Sequence, residues 1–176
     1  MEYLDALNEN GEKTGIVIEK DQAHRGEGVW HRTVHVLIIN RKNEVLLQKR
    51  AMCKTLDPGL WHLSVTGYVN AGESSKEGMI REIKEEIGID FNENELEFLF
   101  DLKDVGTAAK DIVNKEFASV YIAYKDIDIK NITLQKKEVE NVKWIPLQKF
   151  KIIVKNRSKE LVNWYGVYEM IIERLA

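Results

Sequence analysis

The chain has 176 residues, of which 44% are hydrophobic and 31% are charged, and its formal net charge is −3. The length allows a real core in one domain over residues 1–176, and the net charge shows no basic excess that would indicate nucleic acid as a main partner. The single cysteine, Cys53, excludes an internal disulfide framework, and the N-terminal segment has no apolar run of signal-peptide or membrane-span length. We therefore expect a cytoplasmic protein without nucleic-acid or membrane partners.

The first half of the chain reads as hairpins and short strands. Residues 3–7 and 15–18 flank a turn that begins at Asn8, which predicts an N-terminal β-hairpin over about residues 3–18. Residues 34–40 and 44–49 predict a second hairpin. The alternating segment 62–66 is typical of a strand.

The second half combines helices with further strands. Residues 76–87 predict a helix that ends at Gly88, a residue type that often follows the last helical turn. Strands are predicted at 96–101, 117–124 and 139–145, a short helix at 147–154, and a long closing helix at 158–175. Together the elements predict an α/β (α+β) fold in which a mixed β-sheet is sandwiched between helices.

The most informative segment is residues 67–89, which read GYVNAGESSKEGMIREIKEEIGI. Its fixed positions follow the pattern G-x5-E-x7-R-E-U-x-E-E-x-G-U, where U is apolar. They are filled by Gly67, Glu73, Arg81, Glu82, Glu85, Glu86 and Gly88, with Ile83 and Ile89 in the apolar positions. Seven fixed letters would match by accident at about one start point per billion.

Three of these glutamates share one helix face. Glu82, Glu85 and Glu86 lie at positions i, i+3 and i+4, and like charges at this spacing repel each other. Mg²⁺ and Mn²⁺ prefer oxygen ligands of this kind and also bind substrate phosphates. Arg81, four residues before Glu85, can hold that carboxylate in place. The alternative is a solvated acidic face balanced by neighbouring cations.

The chain closely resembles the Nudix hydrolase family, and residues 67–89 are its sequence box. The resemblance implies the Nudix fold, a Mg²⁺ or Mn²⁺ cofactor and a small-molecule diphosphate substrate. It is also compatible with a homodimer. Glu82 and Glu86 are the expected first metal ligands, with Glu85 as third ligand or general base. Glu116 is a further candidate for either role, and Glu73 and Arg81 are expected to orient the site.

Outside the box, the chain resembles the branch of this family that includes isopentenyl-diphosphate isomerase. The similarity covers about residues 3–90 and includes Ala23-His24, His31, residues 46–51 and residues 58–61. The resemblance implies that the substrate diphosphate is held by three cations, which are Lys20, Arg50 and Lys54, beside Gly67 of the box. Charged hydrogen-bond donors of this kind suit a diphosphate, although each could also be an ordinary surface cation.

The isomerase chemistry itself is not retained in the sequence. In the isomerases that the chain resembles, a catalytic cysteine stands at the position of Thr66 and a metal-binding histidine at the position of Tyr68. A threonine hydroxyl has no accessible ionised form to match a thiolate. We therefore interpret His24 and His31 as packing or hydrogen-bonding residues.

The sequence predicts a metal-dependent hydrolase that cleaves a diphosphate linkage. An isomerase variant and a catalytically silent ligand-binding module remain the alternatives. Cys53 is interpreted as a small buried residue, and Trp164 as either a core or a pocket residue.

Overall fold

The computed structural model describes residues 2–109 and 112–175. At the N-terminus, β1 (Tyr3–Leu7) pairs antiparallel with β2 (Lys13–Glu19), which confirms the predicted hairpin. The hairpin forms its own two-stranded sheet and leads into the short helix α1 (Lys20–Ala23).

The remaining strands form one seven-stranded mixed sheet. They are β3 (His31–Ile39), β4 (Glu44–Arg50), β5 (Trp61–His62), β6 (Val65–Tyr68), β7 (Glu97–Ala109), β8 (Ile112–Tyr124) and β9 (Val139–Pro146). The order is β5-β4-β3-β8-β7, with β6 paired to β3 and β9 paired to β4. Among the strand pairs of the described residues, β3 and β8 run parallel and the others are antiparallel.

One face of the sheet packs against helix α2 (Ser75–Ile87). Met79, Ile83 and Ile87 are fully buried on this helix and share a core cluster with Val36 and Ile38 of β3. Their i, i+4 spacing gives the helix a single apolar stripe, which faces the sheet.

The opposite face packs against α3 (Leu147–Lys155) and α4 (Tyr165–Arg174). Phe150 and Tyr168 are buried there with Leu37 of β3, which points away from Val36 and Ile38 because successive strand residues alternate between faces. The sheet therefore lies between helices, and the predicted fold class is confirmed.

The sheet divides between β3 and β4. These strands pair only at Ile39 and Val45; beyond that point β6 takes the edge of β3, while β4 pairs with β5 and β9. Ser64 occupies the fork: its hydroxyl donates to the Leu46 carbonyl at 2.5 Å and accepts from the Ile38 N–H at 2.7 Å. A buried serine thus replaces the strand-to-strand hydrogen bonds where the two halves diverge.

Two element predictions need correction, and both errors arise near Trp61. The single strand predicted at 62–66 is two short strands, because β5 pairs with β4 and β6 with β3. The long helix predicted at 158–175 begins only at Tyr165. Before it, the backbone N–H of Trp61 donates to the Glu160 carbonyl, and the backbone N–H of Val162 donates to the Trp61 carbonyl. Because these backbone groups bond to the edge of the sheet, they are not available for the hydrogen bonds of a helix.

Smaller differences concern the hairpin of β7 and β8 and the single cysteine. Both strands are longer than the predicted 96–101 and 117–124. Cys53 is exposed, so its interpretation as a buried residue is wrong. Among the described residues, no helix is long and apolar enough to cross a membrane.

Replacing Ser64 by alanine tests the fork. Ser64→Ala should lower the free energy of unfolding by about 1–3 kcal/mol, because the buried Ile38 N–H and Leu46 carbonyl lose their partner. Urea unfolding measures this. Ser158→Ala is the matched control, since that hydroxyl makes only a 3.4 Å contact to the Glu160 N–H, and it should stay within about 0.5 kcal/mol of wild type. Equal stability of both variants would contradict the role assigned to Ser64.

Candidate functional site

The site is built on the loop and helix that follow β6. Helix α2 begins with a capping box: the Glu77 N–H donates to Ser74 Oγ at 3.3 Å, and the Ser74 N–H donates to the Glu77 carboxylate at 2.8 Å. It ends at Gly88, whose φ of 74° lies in the left-handed region that glycine adopts without strain. Because both ends of the helix are capped, the helix begins and ends at fixed residues, and its carboxylate-bearing face keeps one orientation.

Gly67 lets that face approach β6 closely. A Cβ atom at this position would clash with the carboxyl group of Glu82. The Tyr68 N–H, next along the strand, donates to the Glu82 carboxylate at 3.2 Å. The glycine is therefore required by the close approach, and its expected contact with substrate stays a prediction.

Arg81 joins the loop, the strand and the helix. Its guanidinium donates to both Glu73 carboxylate oxygens, at 2.8 and 3.0 Å, and to the Tyr68 carbonyl at 2.7 Å. It also donates to Glu82 at 2.8 Å and to Glu85 at 3.2 Å. Burial works to raise the pKa of Glu73, but hydrogen bonds from Arg81 and Asn70 outweigh it and hold that pKa below its ordinary value.

Two glutamates of the helix face are buried and carry raised pKa values. Burial raises the pKa of Glu82 to about 7, against the lowering effect of Arg81. The pKa of Glu86 lies well above its ordinary value, mainly because of burial and also because Glu82 and Glu138 are near. Gln48 donates to the Glu86 carboxylate at 3.1 Å. Both groups would bear a full negative charge more readily beside a cation.

Glu116 and Glu85 differ in their surroundings. Glu116 is buried on β8, and burial raises its pKa to about 7 although the side chains of Asn114 and Thr33 hydrogen-bond to it. The Glu85 side chain is 44% exposed. Glu85 is therefore far more exposed to solvent than Glu116.

The three cations singled out in the sequence come from different segments. Lys20, in α1, pairs with Glu2, and Lys54 pairs with Glu138. Arg50, at the end of β4, donates from Nε to the Leu56 carbonyl at 3.1 Å. Both lysines already contact carboxylates, which an anionic ligand would have to displace.

These groups line one cavity of about 200 Å³. Its lining residues include the carboxylates of Glu82, Glu85, Glu86 and Glu116 and the cations Lys20, Arg50 and Lys54. Gly67 also lines it, whereas Glu73 and Arg81 are not among the lining residues. The fold thus brings the acidic face of α2 and the three cations to a common cavity.

The donor chemistry of the cavity fits a hard divalent cation, because several carboxylates line it. Among residues 2–109 and 112–175, however, no three His, Cys, Asp or Glu side chains already form a cluster that could hold a metal ion. Glu82 and Glu85 contact Arg81, and Glu86 contacts Gln48. Metal binding would therefore require these carboxylates to exchange their present partners.

The two histidines of the isomerase-like motif have hydrogen-bonding roles. His24 Nε2 and the Tyr68 hydroxyl lie 3.0 Å apart, and His31 Nδ1 lies 2.8 Å from the Val29 carbonyl. Burial lowers the pKa of His31 to about 4, so the ring is neutral at ordinary pH. Tyr68 thus occupies space beside both rings, which are 4.9 Å apart.

Several cavity residues were not singled out in the sequence. They are Glu2, Thr33, His35, Gln48, His62 and Glu138. Within the strand HRTVHVLII, His35 is a polar residue in a mostly apolar run, and this interruption was the one available signal. The others lie far apart in the sequence, from Glu2 before β1 to Glu138 before β9, and come together only in the folded structure.

Comparisons with known proteins give a consistent result. A family model described as NUDIX domain matches residues 29–165. Nudix hydrolase 3 of Arabidopsis thaliana is 35% identical over 98% of this chain, which spans 24% of that protein's length. A Nudix hydrolase of Listeria monocytogenes is 35% identical, with 97% of this chain and 94% of the relative covered. Isopentenyl-diphosphate Delta-isomerase 1 of Photorhabdus laumondii is 30% identical over 94% of this chain and 91% of its own.

Solved structures agree at the level of the fold. A Deinococcus radiodurans crystal structure superposes with a TM-score of 0.69 and covers 96% of this chain and 98% of the other. Its sequence identity is 22%, so it supports the fold alone.

The close approach at Gly67 can be tested by adding one methyl group. Gly67→Ala should lower the free energy of unfolding by about 1–3 kcal/mol, because the new Cβ must displace the Glu82 carboxyl group. Gly166→Ala is the control: its Cβ would meet nothing within 4 Å, so that change should be neutral or slightly stabilising in a helix. Denaturant unfolding compares the two. An unchanged Gly67→Ala protein would rule out the steric requirement.

Proposed function

The chain belongs to the Nudix family, and we propose that it is a metal-dependent hydrolase that cleaves a diphosphate linkage in a small organic or nucleoside diphosphate derivative. The observation that carries the proposal is the common cavity. Carboxylates suited to a divalent cation and side chains suited to phosphate oxygens line it together.

The proposed ligands of Mg²⁺ or Mn²⁺ are Glu82 and Glu86, with Glu85 as third ligand or base and Glu116 as an alternative to it. When bound there, the cation would neutralise charge on the diphosphate oxygens and lower the pKa of a coordinated water. The raised pKa values of Glu82 and Glu86 support this assignment, because they reflect negative charge that the protein alone does not fully compensate.

Arg81 and Glu73 are proposed as positioning residues. Arg81 contacts Glu82 and Glu85 together, and Glu73 holds Arg81 through two hydrogen bonds. The guanidinium thereby fixes the carboxylates near the positions from which they can take up a cation.

Lys20, Arg50 and Lys54 are proposed to hold the substrate diphosphate. An incoming phosphate oxygen would replace Glu2 at Lys20 and Glu138 at Lys54, exchanging one anionic partner for another. Water then attacks phosphorus, the phosphoanhydride bond breaks, and the monophosphate departs with the bonding electron pair. Glu85 can accept the proton from water, because its carboxylate is the most exposed of the helix face.

An isopentenyl-diphosphate isomerase is the second candidate, favoured by the 30% identity to such an enzyme. Two side chains argue against it. Thr66 lines the cavity where the isomerase resemblance calls for a thiol, and Tyr68 engages His24 where it calls for a third histidine. A catalytically silent module would have no need of the complete set of box glutamates.

Replacing one buried glutamate tests the metal assignment. Glu86→Gln should reduce turnover by at least a hundredfold, because it removes a ligand charge with little change of shape. Because the folded-state pKa of Glu86 is raised, stability falls as the pH rises from the ordinary glutamate pKa towards the raised value, and the full cost of the buried carboxylate remains at higher pH. The metal-free variant should therefore melt no lower than wild type at pH 8.

Thermal melts with and without Mg²⁺ distinguish the loss of a metal ligand from a loss of folding stability. Wild type should gain melting temperature on adding Mg²⁺, and Glu86→Gln should gain little. Glu173→Gln, an exposed change on α4, should behave as wild type in both assays. Near-wild-type turnover of Glu86→Gln would remove Glu86 from the proposed ligands.

Removing one cavity cation tests the proposed diphosphate contacts. Arg50→Ala should weaken substrate binding by roughly 1.5–3 kcal/mol, the range for a hydrogen bond to a charged group. Arg25→Ala, outside the cavity, is the control. Steady-state kinetics on any substrate of the wild-type enzyme provides the measurement, and an unchanged kcat/KM for Arg50→Ala would contradict the assignment.

A further inference from the structure

The N-terminal hairpin leaves one strand edge open among the described residues. The hairpin is a sheet of two strands, in which β2 pairs with β1. On its other edge β1 is also covered, because Leu4 and Leu7 form bridges with Asn70 and Trp30. The outer edge of β2 therefore faces solvent.

Backbone groups of β2 point towards this open edge. Directly after the strand, the Lys20 N–H donates to the Glu2 carbonyl at 3.0 Å, so the backbone of Lys20 faces β1. In an antiparallel pair, successive residues direct their backbone groups alternately towards and away from the neighbouring strand. The N–H and C=O groups of Val17 and Glu19 therefore face away from β1, where another strand can bind them.

The side chains of β2 are apolar in the middle of the strand and charged at its ends. Ile16 is 60% exposed, and Val17 beside it is also exposed. Lys13 begins the strand and Glu19 ends it. Open strand edges are usually protected from pairing by a central charge or a proline. The middle of β2 has neither, which indicates an edge that pairs with another strand.

The sequence of β2 is complementary to itself in the antiparallel direction. When Ile16 lies opposite Ile16 of a second copy, Lys13 of each copy lies opposite Glu19 of the other. Opposite charges directly across paired strands stabilise the pairing, and like charges destabilise it. Lys13 contacts Asp5 at 2.7 Å, but its side chain is more than half exposed and its ammonium has three hydrogens to donate. It can therefore bind both carboxylates.

We propose that β2 is a dimerisation edge, at which a second copy of this chain pairs antiparallel about a twofold axis at Ile16. The two hairpins then form one four-stranded sheet, and each Lys13–Glu19 contact occurs twice. A single pair of seven-residue strands is smaller than the interface of a stable dimer, so we expect a Kd of roughly 10–100 µM. The inference is independent of the proposed hydrolysis, because no residue of β2 lines the cavity.

Sedimentation velocity of the full chain over a range of concentrations tests the dimer. Wild type should pass reversibly from monomer to dimer as the concentration rises to about 500 µM, well above the expected Kd. Ile16→Lys places two lysines opposite each other at the axis and should raise the Kd by roughly tenfold or more. Ile152→Lys on α3, where the isoleucine is 58% exposed, is the matched control and should keep the wild-type Kd.

Reversing one charge at a time tests the register. Glu19→Lys alone and Lys13→Glu alone each place like charges opposite each other, so each variant should weaken its own dimer by roughly tenfold or more. A one-to-one mixture of the two variants should dimerise with a Kd close to that of wild type, because every lysine then faces a glutamate. Association in the mixture also shows that both variants are folded.

Three results would each overturn the proposal. They are a wild type that stays monomeric at about 500 µM, a dimer that persists undiminished in Ile16→Lys, and a mixture of the two charge variants that associates no better than either variant alone. Hydrolysis by a monomeric wild type would overturn the dimer and leave the proposed function standing.

Discussion

The guanidinium of Arg81 lies among the carboxylates of Glu73, Glu82 and Glu85, and the rest of the site depends on this contact. Glu73 lies in the loop and Tyr68, which supplies a carbonyl, ends β6, so one side chain joins three segments. Glu82 is the buried partner, and loss of the guanidinium would leave its carboxylate without the opposite charge beside it. The same group thus sets the shape of the loop and the direction of the helix carboxylates.

The division of the sheet provides the space into which these carboxylates point. On one side of the fork, β3 and β6 support α2; on the other, β4 ends at Arg50 and leads to Lys54. Ser64 keeps the halves connected where their hydrogen bonds end. Both halves contribute to one cavity that is lined by carboxylates and cations together, an arrangement that suits a polyanion bound with a divalent cation.

Much of this could be predicted from the sequence because the relevant signals are local. The glycine and glutamate spacing lies within one continuous segment, and the helix predicted there is present and ends at Gly88 as expected. The failures came where distant segments compete for backbone hydrogen bonds: residues 160–162 pair with Trp61, although the side-chain pattern of 158–175 favours a helix. His35 likewise is recognised as a cavity residue only once the fold places it beside Thr33 and His62.

Tracing the oxygen of water tests the proposed hydrolysis most directly. Nucleotide sugars, nucleoside di- and triphosphates, dinucleotides and prenyl diphosphates would be incubated with the protein and Mg²⁺ in ¹⁸O-labelled water. Phosphorus NMR would then locate the label. We expect at least one compound to release a phosphate product with ¹⁸O on phosphorus, only when the metal is present. Label on carbon, or conversion of isopentenyl to dimethylallyl diphosphate without phosphate release, would contradict the hydrolase.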